Sequence, residues 1–213
     1  MAFGLPPGEQ FLSYPVAGPE DDVRVGHRRT NVVWYRPADE DGKLKSLLTD
    51  AQGKTHAISI PPPLIRAESI ADMHDAAERL LAPQFRALVR LMDEPILQPI
   101  YDLTSPRMAF GRVAIVGDGA FVARPHVGAG VSKAADDAGA LVDALQKHDG
   151  VESALKAFEA ARLGENHRII EWARHLGAFL QASQTQEEKE RAGKHSTDAA
   201  VIQETATLDF LYG

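Results

Sequence analysis

The sequence predicts a mixed α+β / α/β protein: an antiparallel sheet with helices in its first half, one strand–turn–helix unit in the middle, and a helical segment at the end. Three observations predict it. Aromatic and β-branched runs bounded by Pro and Gly recur near the start. An apolar run at 113–116 (VAIV) breaks at Gly117-Asp118-Gly119 and leads, past Pro125, Gly128 and Gly130, into a helical pattern. From Val151 onward, apolar residues recur at intervals of three and four.

Residues 10–16 (QFLSYPV) and 24–36 (RVGHRRTNVVWYR) read as two antiparallel strands joined by the acidic turn GPEDD. Period-two alternation puts Asn31, Val33 and Tyr35 on one face of the second strand and Thr30, Val32 and Trp34 on the other. A polar turn at 39–43 precedes a short helix at 44–50, and a brief strand is expected at 58–60. Pro61-Pro62-Pro63 fixes φ and removes three donors, so an extended spacer is expected there. Residues 66–92 are helical in pattern, with Ile70, Met73, Ala77, Leu80 and Leu81 inward. Pro83 divides them, and Phe85, Leu88, Val89 and Met92 form the inner face of the second helix. Strand character resumes at 95–103 (PILQPIYDL), the stretch that carries Gln98, Tyr101 and Asp102.

The central helix is expected to run to Lys147, with Ala134, Ala138, Leu141, Val142 and Leu145 on one side, and to stop at His148-Asp149-Gly150. Another helix starts near Val151 and is expected to be interrupted by Gly164. Its Arg162, His167, Arg168 and Arg174 alternate with Glu and read as a solvated face. Residues 184–194 suit a linker or an exposed helix, and the closing stretch has helical spacing in Val201, Ile202, Thr205, Leu208 and Leu211.

The order strand, acidic turn, glycine-bearing loop and helix start has chemical meaning. A helix start leaves backbone N–H groups unpaired and partly positive, so it suits an electron-rich or anionic group. Asp118, just past the strand, has a carboxylate free to accept from a sugar-like hydroxyl. On the residues alone, a cofactor cradle and an ordinary Gly-rich βα turn both remain open.

The stretch GRVAIVGDGAFVARPHVGAGVSKAADDA resembles the second flavin-contacting motif of the FAD-dependent aromatic hydroxylases, the group that includes p-hydroxybenzoate hydroxylase. Its RPH variant is similar to the 2,6-dihydroxypyridine hydroxylase-like branch. The resemblance implies a substrate-binding domain at 1–105, the final strand and helix of a split FAD-binding domain at 106–150, and a C-terminal helical region at 151–213. It implies that Asp118 holds the ribityl or ribose part of FAD, that Gly130, Val131 and Ser132 face the pyrimidine edge of the flavin, and that Gly117, Arg124 and Gly128 belong to the same cradle. Pro125 and His126 would lie beside the reactive edge, where His126 either steers the substrate or pins the loop. Tyr35 and Tyr101 are the substrate-side candidates. The implied reaction is hydroxylation of an aromatic or N-heteroaromatic ring with NADPH or NADH and O₂, through a flavin C4a-hydroperoxide.

No G-x-G-x-x-G turn occurs in these residues, so the resemblance covers the second half of such an enzyme. Weak or no FAD binding by the chain alone is therefore expected. So is an exposed apolar surface around 113–116 that favours self-association or a separate N-terminal FAD-binding half. A non-catalytic, self-associating remnant is the alternative.

Composition narrows the rest. The 213 residues are 44% hydrophobic and 25% charged, in the range of folded globular proteins. A net charge of -7 disfavours nucleic acid. The absence of cysteine rules out disulfides and thiolate metal sites, and a cytoplasmic location is expected. The start lacks the pattern of a secretory signal, and no apolar run is long enough for a membrane helix. Eight histidines without ligand spacing give no metal site, and no H-E-x-x-H, G-x-S-x-G or Walker motif occurs. Asp136 and Asp137, adjacent on a helix, point apart and do not form a carboxylate pair.

Overall fold

A computed structural model describes residues 1–206. The described chain forms two compact units, residues 1–99 with 180–184, and residues 100–179 with 185–206.

In the first unit, strands β1 (Ala2–Gly4), β2 (Gln10–Val16) and β3 (Arg29–Tyr35) make an antiparallel sheet in the order β1-β2-β3. The pairing Phe11↔Trp34 sets the register and puts Phe11, Val32 and Trp34 in one core with Met73, Ala77, Leu81, Phe85 and Val89. Helices α2 (Ala67–Leu80) and α3 (Pro83–Arg90), with Leu81 in the link between them, supply those last residues, so the Thr30/Val32/Trp34 face is the one they cover. Tyr35 stands on the opposite face, opposite the buried Gln10. A glutamate locks the strand end: Glu9 accepts from Trp34 Nε1 (2.7 Å) and Arg36 Nε (3.3 Å).

Several elements differ from expectation. The second strand starts at Arg29 because 24–28 turn instead, held by Asp22 accepting from the Arg24 amide and guanidinium. An N-terminal strand, β1, joins the sheet. A π-turn (Glu40–Leu44) runs directly into the one-turn α1 (Lys45–Leu47). Residues 58–60 form no strand, and Pro62–Leu64 curls into a 3-10 turn rather than an extended spacer, since φ near −65° suits both. Pro83 does divide the helices.

Residues 95–103, where the first unit gives way to the second, contribute no strand beyond a single bridge, Leu103↔Val122, because Pro95 and Pro99 cannot donate to a ladder. Strands β4 (Ala109–Phe110) and β5 (Val113–Ala114) form a small hairpin. The run at 113–116 is thus a short edge strand, not a buried one: Val113 is 62% exposed and Phe110 46%.

Helix α4 (Gly130–Lys147) ends where expected, but its buried residues are Lys133, Asp137 and Ala144, with Ala140 and Leu141 packed beside them. The inner stripe is therefore rotated from the apolar one read from sequence, which leaves Val142 and Leu145 about half exposed.

Helix α5 (Val151–Gly177) is continuous through Gly164. Glycine costs about 1 kcal/mol in a helix interior. The packing of Phe158, Leu163, Ile169 and Ile170 on both sides of it outweighs that cost. Glu159 on α5 accepts from the amides of Met108 (2.6 Å) and Ala109 (2.8 Å), fixing β4 to the helix. Arg162 and Arg174 do not lie on a solvated face, as described below. Helix α6 (Gln186–His195) begins with a capping box between Thr185 and Glu188. Helix α7 (Asp198–Ala206) follows, and the expected inward positions Leu208 and Leu211 lie outside the described residues.

Candidate cofactor site

The site is built where β5 ends. Gly117–Gly119 is a 3-10 turn closed by Ala120 N–H donating to Gly117 C=O (3.1 Å). Gly117 has φ +57°, and a Cβ there would also press on Ala134 of α4 at 3.3 Å, so conformation and space both call for glycine. Its amide donates to Asp137 (3.1 Å), which ties the turn to α4.

Asp137 is fully buried and also accepts from Arg162 Nε (2.8 Å) and Asn166 Nδ2 (2.9 Å) of α5. One carboxylate thereby joins turn, α4 and α5. The outcome for Asp118 next door is the opposite, because its side chain is 74% exposed.

A second 3-10 turn, Pro125–Val127, leads through Gly128 (φ +64°) and Ala129 to Gly130, the first residue of α4. Ala129 has no side chain to cap the helix, and the first bond of the ladder is Lys133 N–H to Ala129 C=O (2.9 Å). The amides of Gly130, Val131 and Ser132 thus precede the ladder. Val131 is 87% exposed, and a Cβ on Gly130 would meet nothing. Ser132 Oγ donates to Ala129 C=O (3.1 Å). These three residues and Asp118 are what the strand end and helix start leave open.

The loop before them is held from behind. Asp102 accepts from Arg124 Nε (2.7 Å) and from Arg174 Nε and Nη2 (3.1 and 2.6 Å). Burial alone would raise the Asp102 carboxyl, but the two guanidinium groups outweigh it and keep it below the ordinary carboxylate range. His126 is buried against Gly177, where an added Cβ would lie 2.4 Å from its Cδ2. Burial, then the Arg124 charge, push its pKa down to about 4, so the ring is neutral near pH 7. Pro125 is exposed on the same turn.

Of the two tyrosines, Tyr101 belongs to this unit and is 46% exposed. Tyr35 belongs to the first unit, where burial and then Tyr14 raise its pKa to about 12.

Sequence reasoning missed Lys133, Asp137, Arg162, Asn166, Arg174 and Gly177. A signal existed for two of them. Lys133 and Asp137 are four apart on α4 and in phase with Ala140, Leu141 and Ala144. The partners on α5 are 25 to 72 residues away from the groups they bind, and no local pattern announces them.

Among the described residues, no group of three His, Asp or Glu is placed to hold a metal ion, and no helix is long and apolar enough to cross a membrane. A shallow concavity of about 460 Å³ between α5 and α6, lined by Arg168, Glu171, Trp172, His175 and Arg191, contains none of the residues expected at the site.

Residues 1–102 match the protein family described as FAD binding domain-like. The chain is 30% identical over 181 residues, 85% of its length, to the 2,6-dihydroxypyridine 3-monooxygenase of Paenarthrobacter nicotinovorans. Its homologues are FAD-dependent aromatic monooxygenases. The chain spans about half the length of the curated relatives it matches, 45% in that case. The solved 2,6-dihydroxypyridine-3-hydroxylase of Arthrobacter nicotinovorans superposes with a TM-score of 0.75 at 28% identity, over 86% of this chain and 46% of that structure. A Klebsiella pneumoniae protein solved with FAD and uric acid shares the fold, with a TM-score of 0.63 at 16% identity over 97% of this chain and 47% of that one.

The residues present fit the group the family implies. An electron-rich ring edge matches three uncapped amides at a helix start, and a hydroxyl-bearing chain matches the exposed carboxylate of Asp118, which lies 3.9 Å from Lys133 in the first turn of that helix.

Proposed function

We propose that this chain is the flavin-cradling and substrate-side portion of a monooxygenase that hydroxylates an aromatic or N-heteroaromatic ring, with NADPH or NADH as electron donor and O₂ as the oxygen source. Bound flavin would supply the redox chemistry that activates O₂. The amides of Gly130, Val131 and Ser132 bind the pyrimidine edge, and Asp118 accepts from the ribityl hydroxyls. Arg124, braced by Asp102, holds the turn carrying Pro125 and His126, and a neutral His126 offers one N–H donor and one ring-nitrogen acceptor rather than a charge. Tyr35 and Tyr101 act on the substrate side.

The observation that carries this reading is the pairing of an uncapped α4 start with the exposed carboxylate of Asp118. Its test is an amide NMR titration of the purified chain with FAD into the millimolar range, sensitive to the weak binding expected here. Shifts centred on residues 117–118 and 130–132 that vanish in Asp118→Ala are expected. No shift at those amides, or shifts unaffected by Asp118→Ala, would refute the assignment.

A second reading has its own observation. Phe110, Val113 and Val116 are all exposed on or beside the β4–β5 hairpin, an apolar edge suited to a second copy or to a separate nucleotide-binding half. A dimer by sedimentation that ignores FAD and dissociates in Val113→Lys would favour the non-catalytic module.

A further inference from the structure

The Lys133 ammonium has no role in the account above, yet it is the most anomalous group near the site. Lys133 is 1% exposed, and its Nζ has no hydrogen-bond partner. It sits in the first turn of α4, where the helix dipole disfavours a cation. Enclosing an ammonium without hydrogen bonds destabilises a fold. A methionine of similar length would fill the space without that cost.

The surroundings show what the charge faces. Asp137 lies four residues on, but it is already satisfied by Gly117, Arg162 and Asn166. Arg162 adds a like charge from α5. On the side of the 3-10 turn, the carboxylate within ion-pair range is Asp118, whose Oδ1 is 3.9 Å from Nζ while its side chain reaches solvent. The cation is enclosed, whereas the carboxylate it approaches is open to solvent. Desolvation lowers the Lys133 pKa, the charges of Asp137 and Asp118 raise it, and Arg162 lowers it further.

We propose that Lys133 is the positioning residue for Asp118: its enclosed ammonium holds the exposed carboxylate in one rotamer, ready to accept from a polyhydroxyl chain. An exposed aspartate on a turn otherwise samples several rotamers and binds less well for it. The inference deepens the flavin reading and rests on it for the identity of the ligand, whereas the ordering of Asp118 stands without it.

Lys133→Met in the full chain is the test, with three readouts. Without ligand, the Hα–Hβ couplings of Asp118 should report one rotamer in the wild type and averaging in Lys133→Met. Equal couplings in both overturn the proposal. Lys133→Met should melt at or above the wild-type temperature, because an enclosed charge has been removed. Clear destabilisation would make Lys133 an ordinary structural ion-pair partner and also overturn it. With FAD, loss of an ordered charge-assisted acceptor should weaken binding about tenfold. Lys133→Met should add nothing in an Asp118→Ala background, and independent, multiplying effects would refute the coupling. If the wild-type chain shows no FAD shifts at the cradle, the flavin reading fails by itself, and the couplings and melting still decide the lysine.

Discussion

The carboxylate of Asp137 offers the sharpest test of how this unit is held together. It is fully buried and accepts from the Gly117 amide, from Arg162 Nε and from Asn166 Nδ2, at 3.1, 2.8 and 2.9 Å. In Asp137→Ala these donors lose their acceptor at once, and Arg162, whose side chain is only 13% exposed, keeps a charge that water barely reaches. Breaking a buried pair from one side costs about 3–5 kcal/mol. At about 2–4 °C per kcal/mol for a chain of this size, the melting temperature should fall by roughly 6–20 °C. Asp137→Asn keeps the shape but turns one acceptor into a donor facing donors, and should lose about 1–3 kcal/mol. The neighbouring Asp136 is exposed, so Asp136→Ala should stay within about 0.5 kcal/mol of wild type. Thermal melts followed by circular dichroism measure all three. Indistinguishable melting of Asp136→Ala and Asp137→Ala would refute the clamp.

Two further outcomes follow from the loop behind the site. Gly177→Ala forces a methyl group to within 2.4 Å of His126 Cδ2 and 2.7 Å of Nε2, and should cost about 1–3 kcal/mol in the same melts while shifting the His126 ring resonances. His126 itself makes stability depend on pH. Its folded pKa of about 4 lies below the ordinary 6.5, so the unfolded chain takes up a proton that the native chain refuses. This contribution is intact above pH 6.5 and is lost as pH falls toward 4; urea melts across that window should show a slope that His126→Phe flattens, and identical slopes would count against the buried neutral ring.

What the sequence made legible was local. Strand β2 coincides with QFLSYPV because alternation, Pro and Gly all mark the same ends. The break at Pro83 and the stop after Lys147 follow from backbone chemistry that acts on the residue itself. The order Gly117-Asp118 through Gly130 pointed to the helix start that the fold leaves uncapped.

Longer-range features were not legible. Residues 95–103 look like a strand by composition, but two prolines leave a single bridge to Val122. The apolar stripe read on α4 is out of phase with its buried face, because Lys133 and Asp137 take positions that apolarity alone would assign to Ala or Leu. Arg162 and Arg174 look like surface charge until Asp137 and Asp102 come to meet them from distant parts of the chain.

Helix α5 has 27 residues, about 40 Å of uninterrupted rod. Along that length it meets the β4 amides through Glu159, the α4 clamp through Arg162 and Asn166, the Asp102 brace through Arg174 and the His126 ring at Gly177. All of these stations share one angular phase. Adding or deleting a single residue between Glu159 and Arg174 would turn everything downstream by about 100° and put every later station out of step together. Evolution can therefore exchange side chains along this rod far more freely than it can change the spacing between them.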